Sequence, residues 1–118
     1  MLHQMNLWNY SFESIKSGSK TIEMRLNDEK RRSINVGDII EFRNTSTSET
    51  IFCLVKNIYR YKTFEELYSH HDKVSIGYRV NETANPDDML TYYTKEDITK
   101  YGVLAIELEP NKNQNNSK

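Results

Sequence analysis

The chain has 118 residues, a formal net charge of −1 and one cysteine, which excludes an internal disulfide. This length fits one domain with one hydrophobic core. The near-zero net charge excludes a strong overall attraction to nucleic acid, so any nucleic-acid site must come from local segregation of charge. The N-terminus has no signal segment and no apolar run is long enough for a membrane span, so we expect a cytoplasmic monomer that does not bind membranes.

The first residues predict a strand followed by a short helix. Residues 4–7 alternate polar and apolar side chains, as a strand does, and Trp8 is expected to close the core beside them. Ser11 is a candidate N-cap for a helix over residues 12–17. Gly18 follows, and glycine readily takes the left-handed conformation that ends a helix.

A strand is predicted from Thr21 to Leu26. Side chains alternate between the two faces of a strand, so Thr21, Glu23 and Arg25 would share one face, with the Lys20 amine at its entry. The three residues between them are apolar and are expected to face the core. The polar face therefore carries a hydroxyl, a carboxylate and a guanidinium in a row.

Six consecutive polar residues follow this strand. Their acidic members precede Lys30, Arg31 and Arg32, an order that suits a single helical turn and its dipole. A solvated turn is the simpler interpretation. After a Gly-Asp turn, a strand is predicted with Ile40 and Phe42 on its buried face.

The longest strand pattern runs from Ile51 to Tyr61. Its first half is apolar on both faces, includes the cysteine as an expected buried thiol, and should be central in the sheet. At its end, Tyr59, Arg60, Tyr61 and Lys62 interleave aromatic rings with cations, as sites for single-stranded nucleic acid do. A strand end with a half-buried tyrosine pair is the structural alternative.

The C-terminal half predicts short helices and one closing strand. Thr63 begins a capping box, Asn85 precedes a proline at a helix start, and Thr94 is a further N-cap. Alternation over residues 104–109 predicts the last strand. The domain is therefore expected to span residues 1–109, and the polar tail, residues 110–118, is expected to be disordered.

The segment Gly18–Arg25 reads Gly-Ser-Lys-Thr-Ile-Glu-Met-Arg and resembles the G-x-K-x-x-E-x-R signature of the ASCH family, a branch of the PUA-like β-barrels. Residues 25–31, 36–42 and 101–106 resemble the continuation of the family, so the resemblance covers residues 2–109. It implies an α+β fold: a small PUA-like β-barrel of five to six mostly antiparallel strands with three to four short flanking helices.

The resemblance also implies a function, because ASCH proteins are similar to RNA-binding domains and their signature lines a cleft beside the barrel. Lys20 and Arg25 would attract phosphate, and Glu23 would orient Arg25 or accept a hydrogen bond from a base or a ribose hydroxyl. The expected ligand is RNA or a nucleotide-like small molecule. Basic and aromatic residues are predicted to extend the site, and the full set is Lys20, Thr21, Glu23, Arg25, Lys30, Arg31, Arg32, Tyr59, Arg60, Tyr61 and Lys62. Alternatively, Glu23 and Arg25 form a structural ion pair that braces the mouth of the barrel.

An enzymatic function is the alternative to RNA binding. Some ASCH proteins resemble amidohydrolases that remove an acyl group from a modified cytidine with a lysine and a threonine three residues later. Here Glu23 stands at that threonine position after Lys20, and a carboxylate cannot simply replace the nucleophilic hydroxyl. Other members are reported as ribonucleases, and a lysine beside a carboxylate can perform acid–base chemistry, so Lys20 and Glu23 are the catalytic candidates if the chain is an enzyme.

A third possibility is a module that binds a small nucleotide-like ligand. A continuous basic path beside the signature would favour a polynucleotide, whereas a closed pocket with one lysine would favour a small molecule or catalysis. No metal or cofactor is expected, because the adjacent residues His70 and His71 have no further ligand at a recognisable spacing.

Overall fold

The structure, a computed structural model, describes residues 1–111. It contains five strands: β1 (Leu2–Leu7), β2 (Ile22–Leu26), β3 (Ile39–Asn44), β4 (Thr50–Tyr61) and β5 (Val103–Pro110). It also contains four α-helices and one 3-10 helix: α1 (Asn9–Ser17), α2 (Glu29–Arg32), α3 (Phe64–His70), the 3-10 helix (Pro86–Thr91) and α4 (Lys95–Tyr101). Most of the predicted tail, residues 112–118, lies outside the described residues, and none of the described helices is long and apolar enough to cross a membrane.

The five strands form one curled sheet in the order β1-β3-β4-β5-β2. Strands β1 and β3 pair in parallel, and the other three pairs are antiparallel. The predicted α+β fold of a small PUA-like β-barrel is therefore confirmed, as a curled five-stranded half-barrel, and the described residues form five short helices where three to four were expected. The two edge strands, β1 and β2, are far apart in the order of the sheet.

Both faces of the sheet are buried. On one face, α1 contributes Phe12 and Ile15 to a core that includes Phe42 of β3 and Ile106 of β5. On the other face, α3 and the 3-10 helix pack against the apolar residues of β2, together with Val103 and Ala105. Strand β5 contributes alternate residues to both cores, so it occupies the centre of the fold.

The capping signals identify most helix starts. The Thr63 hydroxyl accepts a hydrogen bond from the backbone N–H of Glu66, and the Asn85 and Thr94 side chains cap the next two helices in the same way. These N-caps and the end of α1 at Gly18 are confirmed. Local chemistry was sufficient at these positions because each cap satisfies backbone groups only two or three residues away.

The predicted start of α1 was wrong. The helix begins at Asn9, with Trp8 rather than Ser11 at the N-cap position and no side-chain cap. Trp8 does not close the core, because 73% of its surface is exposed. No side-chain cap holds the start of α1, and the packing of Phe12 and Ile15 in the core stabilises the helix instead.

Candidate functional site

Three charged side chains of the predicted signature form a hydrogen-bonded group, here called the signature triad (Lys20, Glu23 and Arg25). The Glu23 carboxylate lies between the two cations: Lys20 Nζ is 2.8 Å from Oε1, and Arg25 Nε donates to Oε2 at 2.7 Å. All three side chains are mostly buried, with exposed fractions of 8%, 7% and 14% in chain order. Glu23 and Arg25 share a face of β2, as the predicted alternation requires, whereas Lys20 lies before the strand and reaches the same carboxylate from there.

The Glu23 carboxylate is stabilised in its ionised form. Burial alone would raise the pKa of Glu23, but the charges of Lys20 and Arg25 and their hydrogen bonds lower it below the usual range. Conversely, burial would lower the pKa of Arg25, and the Glu23 carboxylate raises it. The two cations of the triad therefore share one buried, ionised counterion.

Arg25 also connects the two edges of the sheet. Its Nη2 group donates to the backbone carbonyl of Asn6 in β1 at 2.8 Å, while Arg25 itself lies in β2. The Glu23–Arg25 ion pair of the alternative interpretation is thus present, and Arg25 also bonds to the backbone of β1. The bonds of Nε and Nη2 fix the orientation of the Arg25 guanidinium. Its Nη1 group has no hydrogen-bond partner within residues 1–111 and can still donate to a ligand.

The triad lines a cavity of about 470 Å³, here called the aromatic cavity. Six aromatic side chains line it: Trp8, Tyr10, Tyr68, Tyr78, Tyr92 and Tyr93. Trp8, Tyr10 and Tyr92 are the only large aromatic side chains with strongly exposed surface in the part of the chain that the structure describes. Because all three lie at this cavity, its rim offers ring faces and edges to a ligand.

A hydrogen-bonded network holds the outer wall of the aromatic cavity. The Tyr78 hydroxyl lies 2.9 Å from that of Tyr68 and donates to Asp88 at 2.6 Å. Tyr10 donates to the carbonyl of Gly77 at 3.3 Å, and the Arg79 guanidinium lies 4.6 Å from the centre of the Tyr10 ring. Irregular residues between α3 and the 3-10 helix are thereby fixed opposite the triad.

Gly77 leaves the space that the Lys20 side chain occupies. It has a φ of +118°, and a Cβ added there would lie 3.3 Å from Lys20 Cδ. We predict that Gly77→Ala lowers the free energy of unfolding by about 2 kcal/mol through backbone strain and displaces Lys20 from Glu23. Urea denaturation measures the first effect, and the NMR signals of the Lys20 side chain report the second.

Gly37→Ala is the matched control for this prediction. Gly37 has a similar φ of +93°, but no atom lies within 4 Å of its added Cβ. This variant should lose stability through strain while the Lys20 signals stay unchanged. Unchanged Lys20 signals in Gly77→Ala as well would show that Gly77 does not position the lysine.

A second depression adjoins the aromatic cavity at Arg25 and is here called the cationic groove. Its volume is about 410 Å³, and it shares Asn6 and Arg25 with the aromatic cavity. Four of its lining residues are cationic and one is acidic, and they are Arg25, Lys30, Arg31, Arg43 and Glu41. The chain as a whole is nearly neutral, so this groove is a local concentration of positive charge.

The other predicted residues near the signature lie at different places. Lys30 and Arg31 line the cationic groove, but Arg32 lines neither depression and donates Nε to the Asn27 carbonyl at 3.0 Å. Thr21 also lines neither one. Its backbone N–H donates to Ser75 and its carbonyl accepts from Leu108, so its backbone has a structural role at the start of β2.

The structure does not bring the predicted segment 59–62 to the signature. Tyr59 donates its hydroxyl to Glu107 at 2.9 Å, and the Tyr61 hydroxyl lies 2.8 Å from His71 Nε2. Both tyrosines are partly buried against the core that packs on α3, as the structural alternative proposed. The neighbouring cations Arg60 and Lys62 are exposed and line neither depression.

Sequence reasoning missed the aromatic residues of the cavity and Arg43 of the groove. Trp8 is predicted to close the core, and Tyr92 has no predicted role. One signal was available: Tyr92 and Tyr93 are adjacent, and adjacent residues of a helical turn point in different directions, so both cannot face one core. Within residues 1–111, no group of three or more His, Cys, Asp or Glu residues is arranged to hold a metal ion.

The protein is an α+β half-barrel with one curled five-stranded sheet. A charged cleft lies at the edge strand β2. The ASCH domain model matches residues 5–112, so the chain belongs to the ASCH domain family, which is generally associated with RNA binding. The predicted family is thereby confirmed. No curated protein matches the chain in sequence.

Solved structures support the same fold. The hypothetical protein PH0355 is 35% identical, with a TM-score of 0.80 over 94% of this chain and 100% of that chain. Protein PF0455 from Pyrococcus furiosus is 33% identical, with a TM-score of 0.71 over 93% of this chain and 97% of that chain. A mutant of ZmASCH from Zymomonas mobilis is 16% identical, with a TM-score of 0.60 over 92% of this chain and 67% of that chain, and it shows the fold alone.

Proposed function

We propose that this protein binds single-stranded RNA as a monomer, with one base in the aromatic cavity beside the signature triad. The observation that carries the proposal is the combination of exposed aromatic rings and buried cations around one cavity of about 470 Å³. Aromatic rings stack on bases of any sequence, and cations attract the phosphates between them. The association of the ASCH family with RNA supports the same function.

The fixed geometry of the triad suits this task. Glu23 holds Lys20 and Arg25 in place before a ligand arrives, so little side-chain freedom is lost on binding. Lys20 uses one of its three donors on Glu23, and Arg25 keeps its Nη1 group free of partners within residues 1–111. Both cations can therefore donate to a phosphate or to the edge of a base without breaking the triad.

Trp8 provides an intrinsic probe of binding, because it is the only tryptophan and lies at the cavity. We expect short mixed-sequence single-stranded RNA to quench Trp8 fluorescence, and Lys20→Met and Arg25→Gln each to weaken binding about tenfold. Titrations at about 50 and about 200 mM salt should show weaker binding at the higher concentration.

Lys56→Gln is a suitable control, because Lys56 is exposed and lines neither depression. It should bind as the unaltered protein does. If RNA leaves Trp8 fluorescence unchanged at micromolar protein and a labelled RNA also stays free, the proposed function is wrong. If RNA binds but both triad variants bind equally well, the site lies elsewhere.

A hydrolase acting on a modified nucleoside or on RNA is the second candidate. The observation in its favour is the Lys20 ammonium 2.8 Å from the Glu23 carboxylate inside a cavity large enough for a nucleoside. Against it, Glu23 replaces the threonine nucleophile and accepts from two cations, which makes it a poor base. A screen of acylated and methylated nucleosides and of labelled RNA, comparing the protein with Lys20→Met, tests this candidate through release of product.

A further inference from the structure

We propose that the cationic groove is a second subsite, which holds the phosphodiester backbone of the nucleotide next to the base bound in the aromatic cavity. This inference rests on the proposed function and adds the class of ligand group that each depression takes. The two depressions adjoin each other, because Asn6 and Arg25 line both of them, so the groove lies next to the proposed base site.

The charges of the two depressions differ in a way that assigns their roles. The aromatic cavity contains the carboxylates of Glu23, Glu82 and Asp88 and only two cations, so it does not favour a phosphate over a neutral base. The cationic groove contains four cations and the single carboxylate of Glu41, to which Gln4 donates at 3.0 Å. The groove is therefore the part of this surface that a phosphate prefers.

Several donors of the groove remain available for an anion. Lys30 is exposed and has no ion pair within the described residues, and Arg43 makes one neutral hydrogen bond, to Ser48 at 3.0 Å. Arg31 pairs with Asp28 through Nη1, but its buried Nε has no hydrogen-bond partner among residues 1–111. Lys30 and Arg43 are therefore the groove cations that can meet an anion without giving up an ion pair.

Arg25 is the residue that connects the two subsites. Its guanidinium lines both depressions, and its unused Nη1 group can donate to the phosphate that joins the bound base to its neighbour. The hydrogen bonds to Glu23 and to the Asn6 carbonyl keep it at this junction. A single nucleoside would use only the aromatic cavity, whereas an RNA strand would use both subsites.

The double variant Lys30→Gln/Arg43→Gln tests this assignment, with Lys56→Gln/Lys95→Gln as a control of equal charge at exposed positions outside both depressions. The probes are short mixed-sequence single-stranded RNA, the four nucleosides and their 5′-monophosphates, all followed by Trp8 fluorescence. For RNA, we expect the groove variant to lose about tenfold in affinity and the slope of log affinity against log salt to fall by about 1.4. Nucleoside affinity should stay unchanged, and the control variant should bind RNA with the affinity of the unaltered protein.

Three outcomes would overturn the inference. Equal RNA affinity and salt slope in the groove variant and the unaltered protein would show that no backbone phosphate lies in the groove. An equal loss for nucleoside 5′-monophosphates and for RNA would show that the groove holds the terminal phosphate of a free nucleotide. If the unaltered protein does not bind RNA, the proposed function is wrong as well. In the first two outcomes, by contrast, the unaltered protein binds RNA and only the role of the groove is overturned.

Discussion

Glu23→Gln is expected to lower the free energy of unfolding by about 3 kcal/mol at neutral pH. Glu23 is the counterion of both Lys20 and Arg25, and it is 5% exposed. The neutral amide leaves two mostly buried positive charges without a negative partner. Removing one member of a buried charged group is costly because the remaining charges stay desolvated.

The size of this loss should depend on pH. The pKa of Glu23 is lower in the folded chain than its ordinary value of about 4.3, so its stabilisation is complete above that value and is lost as the pH falls below it. Asp38, whose pKa is lowered to about 2 by hydrogen bonds from His3 and the Asn35 backbone, produces a similar loss in acid. The unaltered protein and the Glu23→Gln variant both retain Asp38. The difference between their free energies of unfolding should therefore reflect Glu23 alone and become smaller in acid.

Urea denaturation of the unaltered protein and of the Glu23→Gln variant, at several pH values from neutral to acidic, measures both free energies of unfolding. Lys20→Met is an informative comparison, because it leaves the Glu23–Arg25 pair intact and should cost only about 1 kcal/mol. Glu109→Gln changes an exposed carboxylate and should have almost no effect. A Glu23→Gln chain as stable as the unaltered protein would contradict the counterion role that the triad geometry indicates.

The triad also explains why two interpretations of the signature need not exclude each other. The Glu23–Arg25 pair and the Arg25 bond to Asn6 connect edge strands, as a purely structural pair would. The same bonds orient the two cations along a cavity. A buried ion pair adds little net stability compared with apolar packing, and its conformational specificity is the property that a binding site can use.

The parts of the fold that sequence predicted correctly depend on local chemistry. Alternation in β2 and the N-caps at Thr63, Asn85 and Thr94 involve residues within a few positions of one another. Such signals are present in any short window of the chain. Lys20 and Glu23 are also close in sequence, three positions apart, although Lys20 lies before the strand and its contact does not follow from alternation.

The cavity could not be predicted because its walls come from distant segments. The Tyr10 hydroxyl donates to Gly77, 67 residues away, and Tyr59, which lines neither depression, bonds to Glu107, 48 residues away. No local pattern encodes these distances. Trp8 is predicted to close the core, whereas the structure places it at the cavity with 73% of its surface exposed.

Trp8→Ala should separate binding from stability. Stacking of a base on an aromatic ring contributes about 1–3 kcal/mol, so RNA affinity should fall between about fivefold and about 150-fold. Trp8 is 73% exposed, and its main ring contact is an edge-on one with Tyr92 at 6.4 Å. The free energy of unfolding should therefore change by less than about 1 kcal/mol.

Fluorescence anisotropy of a labelled single-stranded RNA measures this loss, since the variant lacks tryptophan emission. Trp8→Phe retains a ring and should recover most of the affinity, whereas Val36→Ala truncates an exposed apolar side chain outside both depressions and should leave binding unchanged. Equal affinity in Trp8→Ala and the unaltered protein would remove Trp8 from the site. A loss that Trp8→Phe recovers indicates stacking, because phenylalanine supplies a ring face but no indole N–H donor.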